Sequence, residues 1–337
     1  MRVLVTGATG FIGANLVRVL LERDVEVRVL RRQSSPTLLL DGLPVETFTG
    51  HLTDPESMEN ATRGCSQVYH LAGAFETGPD AEARMLDCHE KGTRVLGEAA
   101  LRMGVKRMVV CSSSITLPFG PLDAPAAEDD DDPFEEGGVP YRHELLAYYR
   151  AKKAQEREAR ALIPKGLETV IVHPDFVLGP WDIKPTSGAL ILQIARSPWI
   201  PFYPPGGKSF IGARDCALGH VLAMERGKPG RSYLLGDHNL TYGEAMKRIA
   251  RVVSRPPPAV PLPSSIPRFV NALDRVFGRQ GSRLSHLATH LESLFIGRYR
   301  SPERARRELG LKSTPFETFV DEAWKWFRDH DYVRRRR

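Results

Sequence analysis

Two overlapping Tyr-x-x-x-Lys sets, Tyr148/Lys152 and Tyr149/Lys153, hold the side chains best suited to moving a proton. Residues four apart share one face of a helix, and an ammonium beside a phenol stabilises the phenolate, so such a tyrosine can exchange a proton near neutral pH. Both registers satisfy this chemistry. The spacing arises by chance in roughly one chain in three of this composition, so its meaning depends on its surroundings. Near the start of the chain, Val3-Leu-Val-Thr-Gly7-Ala-Thr9-Gly10-Phe11-Ile12-Gly13 sets three glycines at Gly-x-x-Gly-x-x-Gly spacing between a strand-like run and an apolar-periodic helix. Glycine lets the turn adopt positive φ and lets a pyrophosphate approach the backbone, while the helix N-terminus offers free N–H groups. The loop therefore reads as a dinucleotide site.

The elements that must position these groups follow from patterning. Strands are expected at Val3–Thr6, Val25–Leu30, Val45–Phe48, Gln67–His70, Arg107–Cys111 and Thr169–His173, with helices at Ile12–Arg23, Ala81–Met103 and Glu144–Leu162. Alternating strands and helices indicate an α/β fold, a Rossmann-type doubly wound parallel sheet with a smaller, mostly helical C-terminal lobe. The dinucleotide-binding domain is expected over 1–178, with 211–240 returning to it through Cys216–Arg226 and Ser232–Leu235. A substrate lobe is expected over 179–210 and 241–330, a Pro-rich linker over 256–267, and a basic tail over 331–337.

Composition narrows the function classes. With 42% hydrophobic and 26% charged residues in 337, the chain can bury a full core. Its apolar runs are too short to span a membrane, and the first strand begins too early to leave room for a leader, so a cytoplasmic location is expected. Four scattered cysteines offer neither a zinc site nor a disulfide framework, and no metal is expected. The net charge of +6 is spread among acids, apart from Arg334–Arg337, and Glu128–Glu136 is strongly acidic. Nucleic acid is therefore not an expected partner.

The glycine loop, together with His70-Leu-Ala-Gly73, Gly92-Thr93, Ser112-Ser-Ser114, the Tyr-x-x-x-Lys, His173-Pro174, Val177-Leu-Gly-Pro180 and Arg214-Asp215, resembles the extended short-chain dehydrogenase/reductases. This is the NAD-dependent epimerase/dehydratase family. Gly179-Pro-Trp-Asp-Ile-Lys-Pro-Thr186 and Tyr233-Leu-Leu-Gly236 are most similar to its bacterial dihydroflavonol-reductase-like group, which includes the hopanoid-associated sugar epimerases. The resemblance implies Ser114, Tyr148 and Lys152 as catalytic residues, and Glu156, eight residues after Tyr148, selects that register over Tyr149. It implies cofactor contacts at Gly7, Thr9, Gly10, Phe11, Ile12, Gly13, Leu52, Leu71, Ala72, Gly73, Ser112, Tyr148, Lys152, His173, Pro174 and Val177. His51 stands where relatives have Asp, and His89 where they have Asn. It also implies a homodimer through the helices at Ala81–Met103 and Glu144–Leu162.

The second strand should end beside the adenosine ribose, where an acid selects NAD and an arginine accepts a 2′-phosphate. Here it ends in Arg31-Arg32, so NADP(H) is expected ahead of NAD(H), with Arg31, Arg32 and His51 in the adenosine pocket. The expected function is NADPH-dependent reduction of a small-molecule ketone or aldehyde, with the tyrosine as proton donor. Trp181, Trp199, Ile200, Phe202, Tyr203 and Phe210, with few basic residues between them, favour a lipophilic or aromatic substrate if some line the pocket. The alternatives are a nucleotide-sugar epimerase/dehydratase with tightly held NAD, and a non-catalytic NADP-binding sensor or scaffold.

Overall fold

The computed structural model describes residues 1–130, 143–277, 291 and 293–333. Its first half runs β1 (Arg2–Thr6), α1 (Phe11–Leu21), β2 (Glu26–Arg31), β3 (Glu46–Thr49), α2 (Pro55–Thr62), β4 (Gln67–His70), α3 (Ala81–Leu86), α4 (Gly92–Arg102), β5 (Arg107–Cys111), α5 (His143–Ala161) and β6 (Glu168–Pro174). The second half runs β7 (Phe176–Leu178), α6 (Ala189–Arg196), β8 (Phe202–Tyr203), β9 (Gly207–Gly212), α7 (Ala213–Arg226), β10 (Ser232–Leu235), β11 (His238–Thr241), α8 (Tyr242–Val252), β12 (Val260–Pro261), α9 (Ser265–Phe277) and α10 (Phe316–Asp329).

Val3, Leu4 and Val5 are fully buried, as are Val109, Val110, Ile171 and Val172, because these strands are covered on both faces. They form a seven-stranded parallel sheet in the order β10-β6-β5-β4-β1-β2-β3. One core joins the sheet to α1 and α7, and a second fills the opposite side beneath α2, α4 and α5. Between β1 and β4 the winding reverses direction. At that switch point the helices on the two sides lead away from each other, which opens a crevice at the carboxyl ends of the strands.

A three-stranded sheet, β11-β9-β7, packs with α6, α8 and α10 around a third core. Its long helices are held by local chemistry as well as packing: Thr241 and Glu244 close a full capping box at the start of α8. Strand β10 crosses back to pair in parallel with β6.

Three features differ from the sequence expectations. Helix α2, which patterning did not reveal, is capped by Asp54 and opened by Pro55, signals that stand in the sequence. The helix expected over Ala81–Met103 contains a π segment at Asp87–Lys91, which places His89 inward. The Pro-rich stretch is more than a linker, because Val260–Pro261 pairs with Phe202–Tyr203. The acidic run is anchored at its start, where Glu128 accepts from the Leu234 N–H and, with Asp129, pairs with Arg304. Its remaining acids, from Asp131 on, lie outside the described residues.

Candidate active site

Gly7 and Gly13 are required by the fold itself. Gly7 has φ +74°, and a Cβ there would lie 2.6 Å from the Leu71–Ala72 backbone; a Cβ on Gly13 would lie 2.2 Å from the Gly7 carbonyl oxygen. Gly10 differs. Its backbone is ordinary and a Cβ would meet only Gly7 O, at 3.3 Å, so what its missing side chain keeps open is the space in front of α1. No side chain caps that helix and no acid stands in its first turn, leaving its N–H groups and positive end directed at the crevice.

There a cavity of about 1000 Å³ is lined by Gly7, Thr9, Gly10 and Phe11 at one end and by Arg31, Arg32, Ser34, Ser35, His51 and Leu52 at the other. Leu71, Ala72 and Gly73 form the wall between. Its shape and donors fit a dinucleotide, with the pyrophosphate at α1 and the adenosine at the end of β2. Ile12, Gly13, Ser112, Tyr148, Lys152, His173, Pro174 and Val177 do not line it. Arg31 makes one long hydrogen bond, 3.4 Å to Arg32 O, and has no carboxylate partner among the described residues. His51 is exposed and bonds to Thr53.

The scattered motifs meet in one buried chain of hydrogen bonds. Thr93 Oγ1 donates to His89 O at 2.6 Å, so it accepts from His70 Nε2 at 2.9 Å. His70 Nδ1 then accepts from Thr6 Oγ1 at 2.8 Å, and that oxygen accepts from the Ala72 N–H. Burial, then Lys152, pushes His70 down to about 3, consistent with a neutral ring. Thus Thr6, His70 and Thr93 tie the glycine loop to the cavity wall and to α4.

Tyr148 and Lys152 sit where β5 ends. Lys152 is buried and its ammonium donates to Cys111 O and to Gln155 Oε1, both at 2.9 Å. It lies 5.8 Å from the centre of the Tyr148 ring, which stands edge-on between Phe75 and His89. Lys153, half-buried, stacks in the same way on Tyr149. The three serines separate by partner. Ser112 Oγ donates to Glu156, and Ser113 Oγ accepts from Ile115 N and so caps the short turn Ser114–Thr116. Ser114 Oγ has no hydrogen-bond partner among the described residues.

Glu156 is an organising group. It also accepts from Thr116 and stands 3.6 Å from His173 Nδ1. Burial pushes Glu156 up, but His173, Ser112, Thr116 and Arg160 together outweigh it and hold the carboxyl below its ordinary range. His173 is fully buried and pushed down to about 4 by burial, so its side chain is committed to the core.

Sequence reading gave no site role to Gln155, nor to the Gly179–Thr186 motif, of which Asp182, Ile183, Lys184 and Thr186 line the cavity. Pro180 O, accepting from Asn15, and Trp181, stacked 3.6 Å from the Arg18 guanidinium, bring that segment along α1 towards its N-terminus. Burial raises the Asp182 carboxyl to about 6 even though it accepts from the Gly188 and Thr186 N–H groups. It is neutral below that value and anionic above it, where it opposes cofactor phosphates. ADP-ribose, which has no group titrating there, should bind about threefold more weakly at pH ~7.5 than at pH ~5. Calorimetry should show a smaller pH dependence in Asp182→Asn than in the parent; an equal dependence in the two would refute the assignment.

The five aromatics and Ile200 that could have lined the pocket do other work. Phe210 is fully buried, and Trp181, Ile200 and Tyr203 pack on the third core, while Trp199 and Phe202 face outward. None of the six lines the cavity. Packing around α6, α8 and α10 consumes the other four.

Residues 3–236 match the family model described as NAD dependent epimerase/dehydratase family. The chain belongs to that family. Sterol demethylase protein B of Methylococcus capsulatus is 33% identical over 339 residues, covering 99% of this chain and 100% of the relative. A provisionally named dihydroflavonol 4-reductase of Synechocystis is 32% identical, covering 98% and 95%. A solved nucleoside-diphosphate-sugar epimerase from Pseudomonas aeruginosa, 27% identical and covering 99% of each chain, superposes with a TM-score of 0.79. This epimerase/dehydratase family member is an NAD(P)-dependent oxidoreductase with a Rossmann-like sheet. No helix among its described residues is long and apolar enough to cross a membrane.

Proposed function

We propose that the protein is an NADPH-dependent reductase of a lipophilic or aromatic ketone or aldehyde. The observation that carries this is Arg31, a guanidinium without a carboxylate partner at the adenosine end of the cavity. It suits a 2′-phosphate, and a reaction that consumes reductant suits NADPH, whereas an epimerase regenerates its NAD each cycle. When bound, the reduced nicotinamide supplies a hydride to the carbonyl carbon. Tyr148 donates the proton to the carbonyl oxygen, and the free Ser114 hydroxyl holds that oxygen in place. Lys152, anchored by Cys111 O and Gln155, stabilises the phenolate left behind and has a third N–H for the cofactor ribose. Gly7, Thr9, Gly10 and Phe11 take the pyrophosphate, and Lys184 lines the same cavity.

The apolar substrate class is supported by Phe75, 53% exposed and edge-on to Tyr148, which gives the reacting end an apolar wall. The names of two relatives, a sterol demethylase protein and a dihydroflavonol reductase, point the same way. A nucleotide-sugar epimerase is the second reading, favoured by the Pseudomonas likeness. Against it, Arg196 is spent on Tyr332 O, and Arg300 on Asp175 and the Leu117 and Pro118 carbonyls, rather than left for a diphosphate.

NADPH oxidation over a carbonyl panel, beside UDP- and GDP-sugars, tests the proposal. Lipophilic or aromatic carbonyls should support turnover and the sugars should not; robust epimerisation would reverse the order. A charge-assisted contact contributes roughly 1.5–3 kcal/mol, so NADPH should bind about tenfold or more tightly than NADH. Arg31→Ala should erase most of that gap, and equal affinities in the unmodified protein would rule the contact out.

A further inference from the structure

Four of the large apolar side chains that the fold leaves in solvent come from three neighbouring segments of the chain. Trp199 is 56% exposed, Phe202 49%, Val260 46% and Phe269 67%. Phe202 and Val260 are register partners across the β8–β12 ladder, and Trp199 lies three residues before that ladder. Helix α9 begins four residues after it. That helix is strongly amphipathic, with Ile266, Phe269, Val270 and Leu273 at helical spacing, yet none of its residues from Ser265 to Asp274 is buried.

The surroundings of this face are basic. From Lys247 to Asp274 the chain carries five basic residues, Lys247, Arg248, Arg251, Arg255 and Arg268, against one acid, Asp274. Lys247 stands 5.3 Å from the Tyr203 ring, which places its charge beside β8, and exposed Arg251 follows one turn later on α8. Arg255 bonds to Ala195 O, which places it at the end of α6 just ahead of Trp199. Arg268 is exposed next to Phe269. Of these, Arg248 alone forms an ion pair among the described residues.

Exposed apolar side chains with Arg251 and Arg268, exposed and in no ion pair among the described residues, suit a boundary that is apolar below and anionic above. A second copy of the chain would bring the same cations against one another. Nucleic acid would satisfy the cations but leave the aliphatic side chains wet. We infer that the face formed by Trp199, β8, β12 and the start of α9 docks peripherally on an anionic lipid surface. It does so without inserting a span, and the inference is independent of the substrate proposed above.

Sedimentation of the full chain with phosphatidylcholine vesicles, alone or with about one-third phosphatidylglycerol, tests this. Binding should require the anionic lipid and weaken with salt. The Trp199→Ser/Phe202→Ser/Phe269→Ser variant should bind at least ~10-fold more weakly, as should Arg251→Ala/Arg268→Ala, since each cation near the surface contributes about fivefold. Melting temperature and ADP-ribose affinity should be unchanged in both, which separates loss of docking from loss of fold. Absent binding, or binding that neither variant weakens, overturns the inference. So does a fall in hydrodynamic mass in the serine variant without vesicle binding by the parent, which would assign the face to a second copy. Preferential retention on duplex DNA over lipid would also overturn it.

Discussion

Tyr148→Phe should lower kcat by about 10³-fold while leaving the Kd for NADPH within about twofold. General acid catalysis contributes typically 10²–10⁴-fold, and this change removes the proton donor alone. The ring stays, edge-on between Phe75 and His89, so the helix face and the Lys152 site below it keep their packing. Tyr149→Phe is the control. Cys111 O and Gln155 anchor Lys152, the lysine paired with Tyr148, so the control should retain activity within about twofold. Steady-state kinetics with the best carbonyl of the panel, beside calorimetric NADPH titration, gives both numbers. Should Tyr149→Phe be the inactive variant, the acid moves one residue along and takes Lys153 with it.

Replacing the loop glycines one at a time should separate folding from binding. Gly13→Ala places a Cβ 2.2 Å from Gly7 O and 2.8 Å from Ala8 Cα, both backbone atoms that cannot turn aside. The loop must shift or the helix must slide, and a loss of about 3 kcal/mol is expected, seen as a clear fall in melting temperature with cofactor binding lost alongside. Gly10→Ala has no such conflict. Its φ of −94° suits alanine and the nearest protein atom is 3.3 Å away, so the melting temperature should hold. The methyl instead occupies space at the mouth of α1, and ADP-ribose should bind at least ~10-fold more weakly. If Gly10→Ala binds ADP-ribose as tightly as the parent, the pyrophosphate does not lie against that turn.

The strands, α1, α5 and the glycine loop were legible because their signals are local: apolar runs, 3.6-residue periodicity, and glycines at fixed spacing after a strand. The spacing left both tyrosine registers open and only the resemblance, through Glu156, favoured Tyr148; the sequence by itself placed arginine where a ribose acid could have stood. Other features depend on contacts between distant segments. Ser112, Ser113 and Ser114 are alike in sequence; only the approach of Glu156 from α5, 44 residues from Ser112, occupies the first and leaves the third free. Ile200 and the five aromatics between Trp181 and Phe210 looked equally suited to a pocket and to a core, and the packing of α6, α8 and α10 decided for the core in four cases of six. Lys184 and Asp182 belong to the Gly179–Thr186 motif, but the motif does not say what they face. They reach the cavity because Asn15 and Arg18, on a helix more than 150 residues earlier in the chain, hold Pro180 and Trp181 against it. Periodicity reports which face of an element is apolar; which surface meets that face, and which hydroxyl or charge is left over, is settled only when the elements pack.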